Sequence, residues 1–369
     1  MDNIKISVRQ FTILMILFTI GTAILIIPST IAAVAKQDAW ISALIGIGLG
    51  LLLMLIYAAL GNQFPGLTLV EMNDRVLGKW IGCIVSLGFL YFTFITSSEL
   101  LYFVGDFLAT QIMPDTPLPS LNVMFAIILL MGVRLGLEAF ARAAEILFPL
   151  FILLFLILVI FIVPEIDIKN AKPMLNAGAP SIIQASLMFT SVASIPTVTM
   201  LMIGPVSLNK PNKLRRSLIL GTLIGGAFLF VIVILTVLVL GSDMTARQAF
   251  PSYVLAKRVN VGRFLQRIEA IVAVMWIVTI YFRMLIYYYA SIVGLAQVLR
   301  IKDYRALTLP LGLIAVICSL LIHPNAAHSI QYDKEYWLPY ASTFGVFLPL
   351  LLLVVALFRK KSAESNNDS

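Results

Sequence analysis

Thr19-Ile20-Gly21-Thr22 interrupts one apolar run, from about Gln10 to Val34, and Ser194-Ile195-Pro196-Thr197 interrupts another, from about Ser181 to Gly204. The two interruptions lie 175 residues apart. In each case the next apolar segment carries Gly-x-x-x-Gly, at Gly46 and Gly50 and then at Gly221 and Gly225, and these pairs are also 175 residues apart. Short polar stretches in the middle of apolar runs break membrane helices. Matched breaks in two halves of a chain point to a transporter-like repeat with a binding site near mid-bilayer.

Outward from these breaks the chain is apolar almost throughout. It has 369 residues, 60% hydrophobic and 12% charged, with a mean hydropathy of +1.01. Soluble domains carry roughly 25% charged residues. A crossing takes about 20 apolar residues, and ten segments qualify: 10–34, 38–60, 80–111, 119–135, 144–163, 181–204, 215–241, 264–299, 306–322 and 336–358. This predicts an all-α integral membrane protein with ten transmembrane helices and no loop long enough for a soluble enzyme domain. No phosphate loop, hydrolase triad or metal motif stands in the sequence, so no cofactor or metal is expected. The first run is too long for a cleaved signal and lacks a small-residue cleavage site, so it reads as the first span. Cys83 and Cys318 fall in or at the ends of apolar segments and read as free, buried thiols.

The net charge of +8 is mostly topological and does not point to nucleic acid. Sixteen of the 26 Lys and Arg fall on the side of the termini, nine on the other, and Arg283 lies inside the eighth span. That excess predicts both termini in the cytoplasm. Five spans per half is an odd number, so the second half enters from the opposite side and the repeat is inverted. The halves are residues 1–175 and 176–358, followed by a polar cytoplasmic tail, 359–369, expected to be disordered. The third and eighth spans are both unusually long. Between the seventh and eighth, Asp243 and Thr245 offer caps for a short helix. Phe250, Tyr253, Val254 and Leu255 give it an apolar face that could cover an outer vestibule or serve as a surface connector.

A broken helix leaves backbone N–H and C=O groups without partners, tolerated in a bilayer only beside protein or a water-filled cavity. Helix N-termini favour anions and C-termini cations. The two breaks could therefore receive the two ends of a zwitterion, with Gly21 allowing close approach. Thr19, Thr22, Thr190, Ser191, Ser194 and Thr197 supply hydroxyls. The alternative is two kinked helices, at Pro28 and Pro196, with Ser and Thr bonding back to carbonyls. Glu99, on a stripe with Phe92, Thr96, Phe103 and Asp106, is the most notable carboxylate, and ionisable groups at this depth are usually functional. It could bind an ammonium, carry a proton, or pair with Arg283. Thr279 and Tyr287 share the face of Arg283. Asp106 and Glu269 read as solvated outer-end groups, Tyr287, Tyr288 and Tyr289 as an interfacial belt, and the glycine pairs as close helix packing. Pro349 is expected to kink the tenth span. His323 and His328, near an external loop, do not read as a metal site.

Gly21-Thr22-Ala23-Ile24-Leu25-Ile26-Ile27-Pro28, followed by Ala35-Lys36-Gln37-Asp38-Ala39-Trp40-Ile41-Ser42, resembles the endospore germination permease family, the B subunits of spore germinant receptors. The basic Asn209-Lys210-Pro211 connection and the ten spans extend the resemblance over the whole chain. It implies membership of the amino acid–polyamine–organocation superfamily and a five-plus-five inverted repeat with broken helices 1 and 6. It also implies A and C partner subunits, the inner membrane of the spore, and a small nutrient ligand, with an amino acid as the expected class. The superfamily's ligand place carries over to Gly21, Thr22 and Ala23, to Thr96, Ser97 and Glu99, to the stretch from Thr190 and Ser191 to Ser194, and to Thr279; Ile195 of the second break and Arg283, the intramembrane cation, complete the candidate ligand-binding set. Three departures stand out. Ala23 replaces a glycine common in the first-helix pattern, residues 143–163 lack the lysine of proton-coupled relatives, and the eighth span offers only Ser291 where sodium-coupled relatives pair hydroxyls. A sensor of a nutrient germinant fits this pattern. The alternatives are an amino acid permease, with or without proton coupling, and a water or ion conduit.

Overall fold

The computed structural model describes residues 5–258 and 268–367. Among them, eight helices are long and apolar enough to cross a membrane, and Val8–Ile20 and Arg305–Leu321 are shorter apolar helices. The first span is two helices, α1 (Val8–Ile20) and α2 (Ala23–Ala35), and the second is α3 (Ala39–Gln63). A short amphipathic α4 (Leu69–Leu77) precedes the long α5 (Lys79–Phe107), which runs on as a π turn to Ile112. Next come α6 (Leu118–Leu135), α7 (Leu137–Ile162) and α8 (Ala179–Ala193). A 3-10 stretch, Ile195–Met202, and α9 (Gly204–Ser207) complete the sixth span. The seventh is α10 (Leu214–Leu240), followed by α11 (Ser242–Arg247) and α12 (Pro251–Arg258). The eighth is α13 (Glu269–Val298) and the ninth α14 (Arg305–Leu321); after α15 (Ala326–Glu335), α16 (Trp337–Ser342) and α17 (Leu348–Asn367) form the tenth. α17 takes in most of the tail expected to be disordered, and residues 368 and 369 lie outside the described residues.

The two glycine pairs show how the halves fit. A Cβ on Gly50 would lie 2.3 Å from Ser194 Oγ, and one on Gly225 would lie 2.8 Å from Thr19 Cβ. Subtracting 175 from 225 and from 194 gives 50 and 19, so these are one contact repeated with the halves exchanged. Gly46 meets Phe189 and Gly221 meets Met15, so the first glycine of each pair is filled by the facing half as well, one residue out of the strict repeat register. The second span thus packs on the sixth and the seventh on the first, each through small residues that let backbones approach. The far-face turn after the first span also joins the halves. The Asp38 carboxylate, fully buried, accepts the N–H groups of Leu175, Asn176 and Ala177 at 2.8–2.9 Å.

Three prolines in the core free a carbonyl four residues earlier, because proline has no N–H to donate. Each carbonyl is taken by a distant side chain. Pro28 frees Ile24 O, which accepts from Ser252 Oγ at 2.5 Å. Pro196 frees Val192 O, which accepts from Arg283 Nη2 at 2.7 Å. Pro349 frees Gly345 O, which accepts from Tyr57 Oη at 2.5 Å. Pro349 also follows a π turn, Thr343–Phe347, so the irregularity of the tenth span lies just before the proline.

Two sequence expectations are corrected. Tyr287 and Tyr288 are fully buried and Tyr289 nearly so, packed between helices and not belted at an interface. The short helix after the seventh span begins behind Gly241; Asp243 lies in its first turn, and Thr245 Oγ1 donates back to Gly241 O at 2.7 Å instead of capping. Arg263 and Arg267, two of the nine Lys and Arg assigned to the side remote from the termini, lie outside the described residues. The two cysteines are free and half-buried.

Candidate functional site

The first break is set by Gly21. Its φ of +24° is open to glycine, and its N–H caps Leu17 O at 2.9 Å while α2 restarts at Ala23. Its carbonyl accepts from Thr279 Oγ1 at 3.2 Å. The second break falls at Ser194, whose N–H still reaches Thr190 O, after which Pro196 prevents the helix from continuing. The carbonyls left at the end of α8 are capped from outside: Ser191 O by Trp337 Nε1 at 3.1 Å and Val192 O by Arg283.

Arg283 joins the two breaks. Its Cδ lies 2.2 Å from where a Cβ on Gly21 would stand, so the glycine makes room for it. The guanidinium sits over the Phe18 ring at 5.2 Å and near that of Tyr287 at 6.0 Å. Arg283 is 1% exposed. Its Nε and Nη1 have no hydrogen-bond partner, and no carboxylate pairs with it among the described residues.

A cavity of about 150 Å³ opens at this point, lined by Thr22 of the first break, Thr96 and Glu99 of α5, Ser191 and Val192 of the second break, and Arg283. Asp333, Lys334 and Trp337 close its outer side. A second cavity of about 230 Å³ shares Ile26, Thr30, Phe103, Asp333 and Lys334 with it and reaches Ala246–Phe250. Together they form a vestibule toward the face remote from the termini, walled in part by the α11–α12 connection. Phe250 and Tyr253 of that connection pack their rings on Phe107 at 5.1 and 5.3 Å. Asp106, expected to be solvated, faces this outer cavity. The terminal face is shut. Ile6 N–H donates to Ser207 O and Asn209 N–H to Ile6 O, while Arg9 pairs with Glu145 at 3.2 Å.

Of the residues singled out from sequence, Thr22, Thr96, Glu99, Ser191 and Arg283 face the cavity. The others stand behind it. Thr190 Oγ1 donates to Ser186 O and Gly46 O, Ser97 Oγ to Met284 O, and Thr279 to Gly21 O. Ser194 packs on Gly50, and Ile195 O accepts from Tyr57. Ala23 is fully buried. The open alternative of a Glu99–Arg283 pair is not what the structure holds: Glu99 Oε1 meets His323 Nε2 at 3.0 Å. His323 was missed as a site residue.

A ten-span bundle with two spans broken at mid-depth around a closed-bottomed cavity defines a transporter-fold membrane protein. Two solved structures share that fold. One is MhsT in complex with L-phenylalanine, with a TM-score of 0.70 at 13% identity over 94% of this chain and 97% of that one. The other is Mhp1, a nucleobase-cation-symport-1 family transporter, with a TM-score of 0.62 at 13% identity over 93% of this chain and 78% of that one. Within that class, residues 5–327 match the spore permease family, described as spore germination protein, and the chain belongs to it. Its relatives include spore germination protein KB of Bacillus subtilis, 30% identical over 99% of this chain and 98% of that one. Spore germination protein YndE of the same organism is 24% identical over 98% of each.

Proposed function

We propose that this chain is the B-type subunit of a spore germinant receptor, binding a small nutrient with a carboxylate, most simply an amino acid, between the two helix breaks. The observation that carries this reading is Arg283: buried, lining the cavity, with two guanidinium nitrogens free and no ion pair among the described residues. A buried unpaired cation is costly, and a guanidinium fork matches a carboxylate in geometry and charge. Thr96 Oγ1, also without a partner, faces the same space. Glu99 and Asp333, which line the same cavity, offer carboxyl oxygens to an ammonium. Binding acts as a signal if the ligand fits one arrangement of the breaks better than another. The family resemblance supports A and C partner subunits, residence in the spore inner membrane and cytoplasmic termini.

The test is a thermal-shift screen of the purified protein against amino acids, sugars and nucleosides. The expected result is stabilisation by carboxylate-bearing compounds, weakened about ten- to a hundredfold in affinity by Arg283→Gln. Arg283→Lys should keep part of it, because charge remains and the fork is lost. Stabilisation by sugars alone, or an unaltered response in Arg283→Gln, overturns the reading. A second reading, a permease, is favoured by the hydrogen-bonded Glu99, and net uptake into vesicles carrying the purified protein would establish it.

A further inference from the structure

Glu99 does not end in the cavity. Its Oε1 is 3.0 Å from His323 Nε2, and His323 Nδ1 is 3.1 Å from His328 Nδ1. Glu99 and His323 are 4% and 3% exposed, whereas His328 lies at the surface of the remote face. His328 is held there by Asn325, whose side chain caps α15 by accepting the His328 N–H at 2.9 Å. His323 stands in an aromatic collar, with Tyr102, Tyr332 and Phe103 ring centroids 5.1, 5.7 and 6.2 Å away. Two imidazoles and a carboxylate thus form a continuous chain from solvent to the ligand cavity, shielded on its sides.

We propose that Glu99, His323 and His328 form a proton relay that loads and unloads the cavity carboxylate from the remote face. With Glu99 ionised, the hydrogen-bond roles follow from chemistry. An ionised carboxylate only accepts, so His323 Nε2 carries a hydrogen; the neutral ring's Nδ1 then accepts, so His328 Nδ1 donates. A proton arriving from water on His328 Nε2 releases the Nδ1 hydrogen to His323 Nδ1. His323 in turn releases its Nε2 hydrogen to Glu99. The chain ends with a neutral acid that donates to His323 Nε2, while His323 Nδ1–H donates to His328 Nδ1. Both end states are fully hydrogen-bonded, they differ by one proton, and no other reactant is needed. The same steps run in reverse, with Glu99 giving its proton to His323 Nε2 and His328 Nε2 releasing one to water, reset the chain.

The surroundings suit a relay. Burial lowers His323 from its ordinary value, opposed by the nearby Asp333, so the ring hands a proton on more readily than it keeps one. The other groups facing the chain are Tyr332, Asp333 and Lys334 of α15, Arg283 and Tyr287 of α13, Tyr340 of α16, and Tyr91, Tyr102 and Asp106 of α5. Asp333 is the competing acceptor, lining both cavities, and burial followed by the charge of Glu99 raises it well above the usual carboxylate range.

The test needs no ligand, so it stands or fails apart from the germinant reading. A rapid pH drop is applied to the purified protein, and the carboxylic-acid carbonyl stretch is followed by time-resolved infrared difference spectroscopy. The expected band appears in the wild type and in Asp333→Asn and disappears in Glu99→Gln. His323→Gln keeps a hydrogen bond to Glu99 but cannot relay, and should slow the band's rise about a hundredfold while leaving its amplitude, a typical scale for a lost acid–base group. His328→Ala, at the surface, should slow it similarly. Unchanged rates in both histidine variants overturn the relay, as does a band that survives Glu99→Gln and vanishes in Asp333→Asn.

Discussion

Gly21 shows how much one residue can decide. It accepts a positive φ, ends α1, and leaves the space in which the Arg283 stem lies. Gly21→Ala would place a Cβ 2.2 Å from Arg283 Cδ and 3.0 Å from Phe18 O. The strained backbone alone costs about 1–3 kcal/mol. The expected outcome is a lower melting temperature together with loss of ligand stabilisation, because the guanidinium must move off the break. A variant that melts lower yet still responds would detach Arg283 from the ligand. At this scale the sequence was partly legible. Glycine in an apolar run, an intramembrane carboxylate and an intramembrane arginine are conspicuous, and three of the five cavity-facing candidates are such groups or their direct neighbours. The hydroxyl groups were ambiguous, since Ser and Thr in helices readily bond back to carbonyls, as Thr190 does to Ser186 O. His323 could not be found. Its partner Glu99 lies 224 residues away, and only the fold brings them together.

At the scale of elements, Pro28, Pro196 and Pro349 act as matched half-connections. Each leaves a carbonyl unpaired in a helix, and Ser252, Arg283 and Tyr57 complete the bond from elsewhere. The kinked-helix alternative considered for the first and sixth spans is therefore half right. The prolines do disturb the helices, but the first break lies at Gly21, and Pro28 sits within continuous α2. The freed carbonyls follow from the sequence; the side chains that take them do not, because nothing local links residue 57 to residue 345. Tyr57 Oη reaches both Ile195 O and Gly345 O, tying the unwound sixth span to the tenth. Tyr57→Phe leaves buried carbonyls unsatisfied and should destabilise by about 1–3 kcal/mol. Ser252→Ala removes one such bond at the rim of the vestibule. It should reduce stability less and raise hydrogen exchange in α12 selectively. Equal exchange changes throughout the bundle would argue against a local role for Ser252 in holding α12 on α2.

Across the whole molecule, the sequence carried the repeat because each half uses the same two devices at the same spacing: a polar break, then a glycine pair in the next span. It did not reveal which spans meet, since a Gly-x-x-x-Gly fits any close partner. The structure pairs Gly50 with Ser194 and Gly225 with Thr19, so a perturbation at one glycine has a counterpart in the other half. Gly50→Ala and Gly225→Ala should each destabilise by about 1–3 kcal/mol, the range for overpacking a filled contact. Their functional effects should differ. Gly225→Ala pushes on Thr19, two residues before Gly21, and so on the break against which the Arg283 stem packs. Gly50→Ala pushes on Ser194, the end of α8, whose carbonyls are already held by Trp337 and Arg283. If the two breaks move as one unit, both variants should lower ligand stabilisation in proportion to their loss of melting temperature. If the first break moves against a fixed sixth span, Gly225→Ala should lose the ligand response at a stability that Gly50→Ala tolerates. Measuring both variants in one ligand titration separates a rigid binding frame from one whose first span rocks, and only the rocking frame gives the vestibule a way to close over what it has bound.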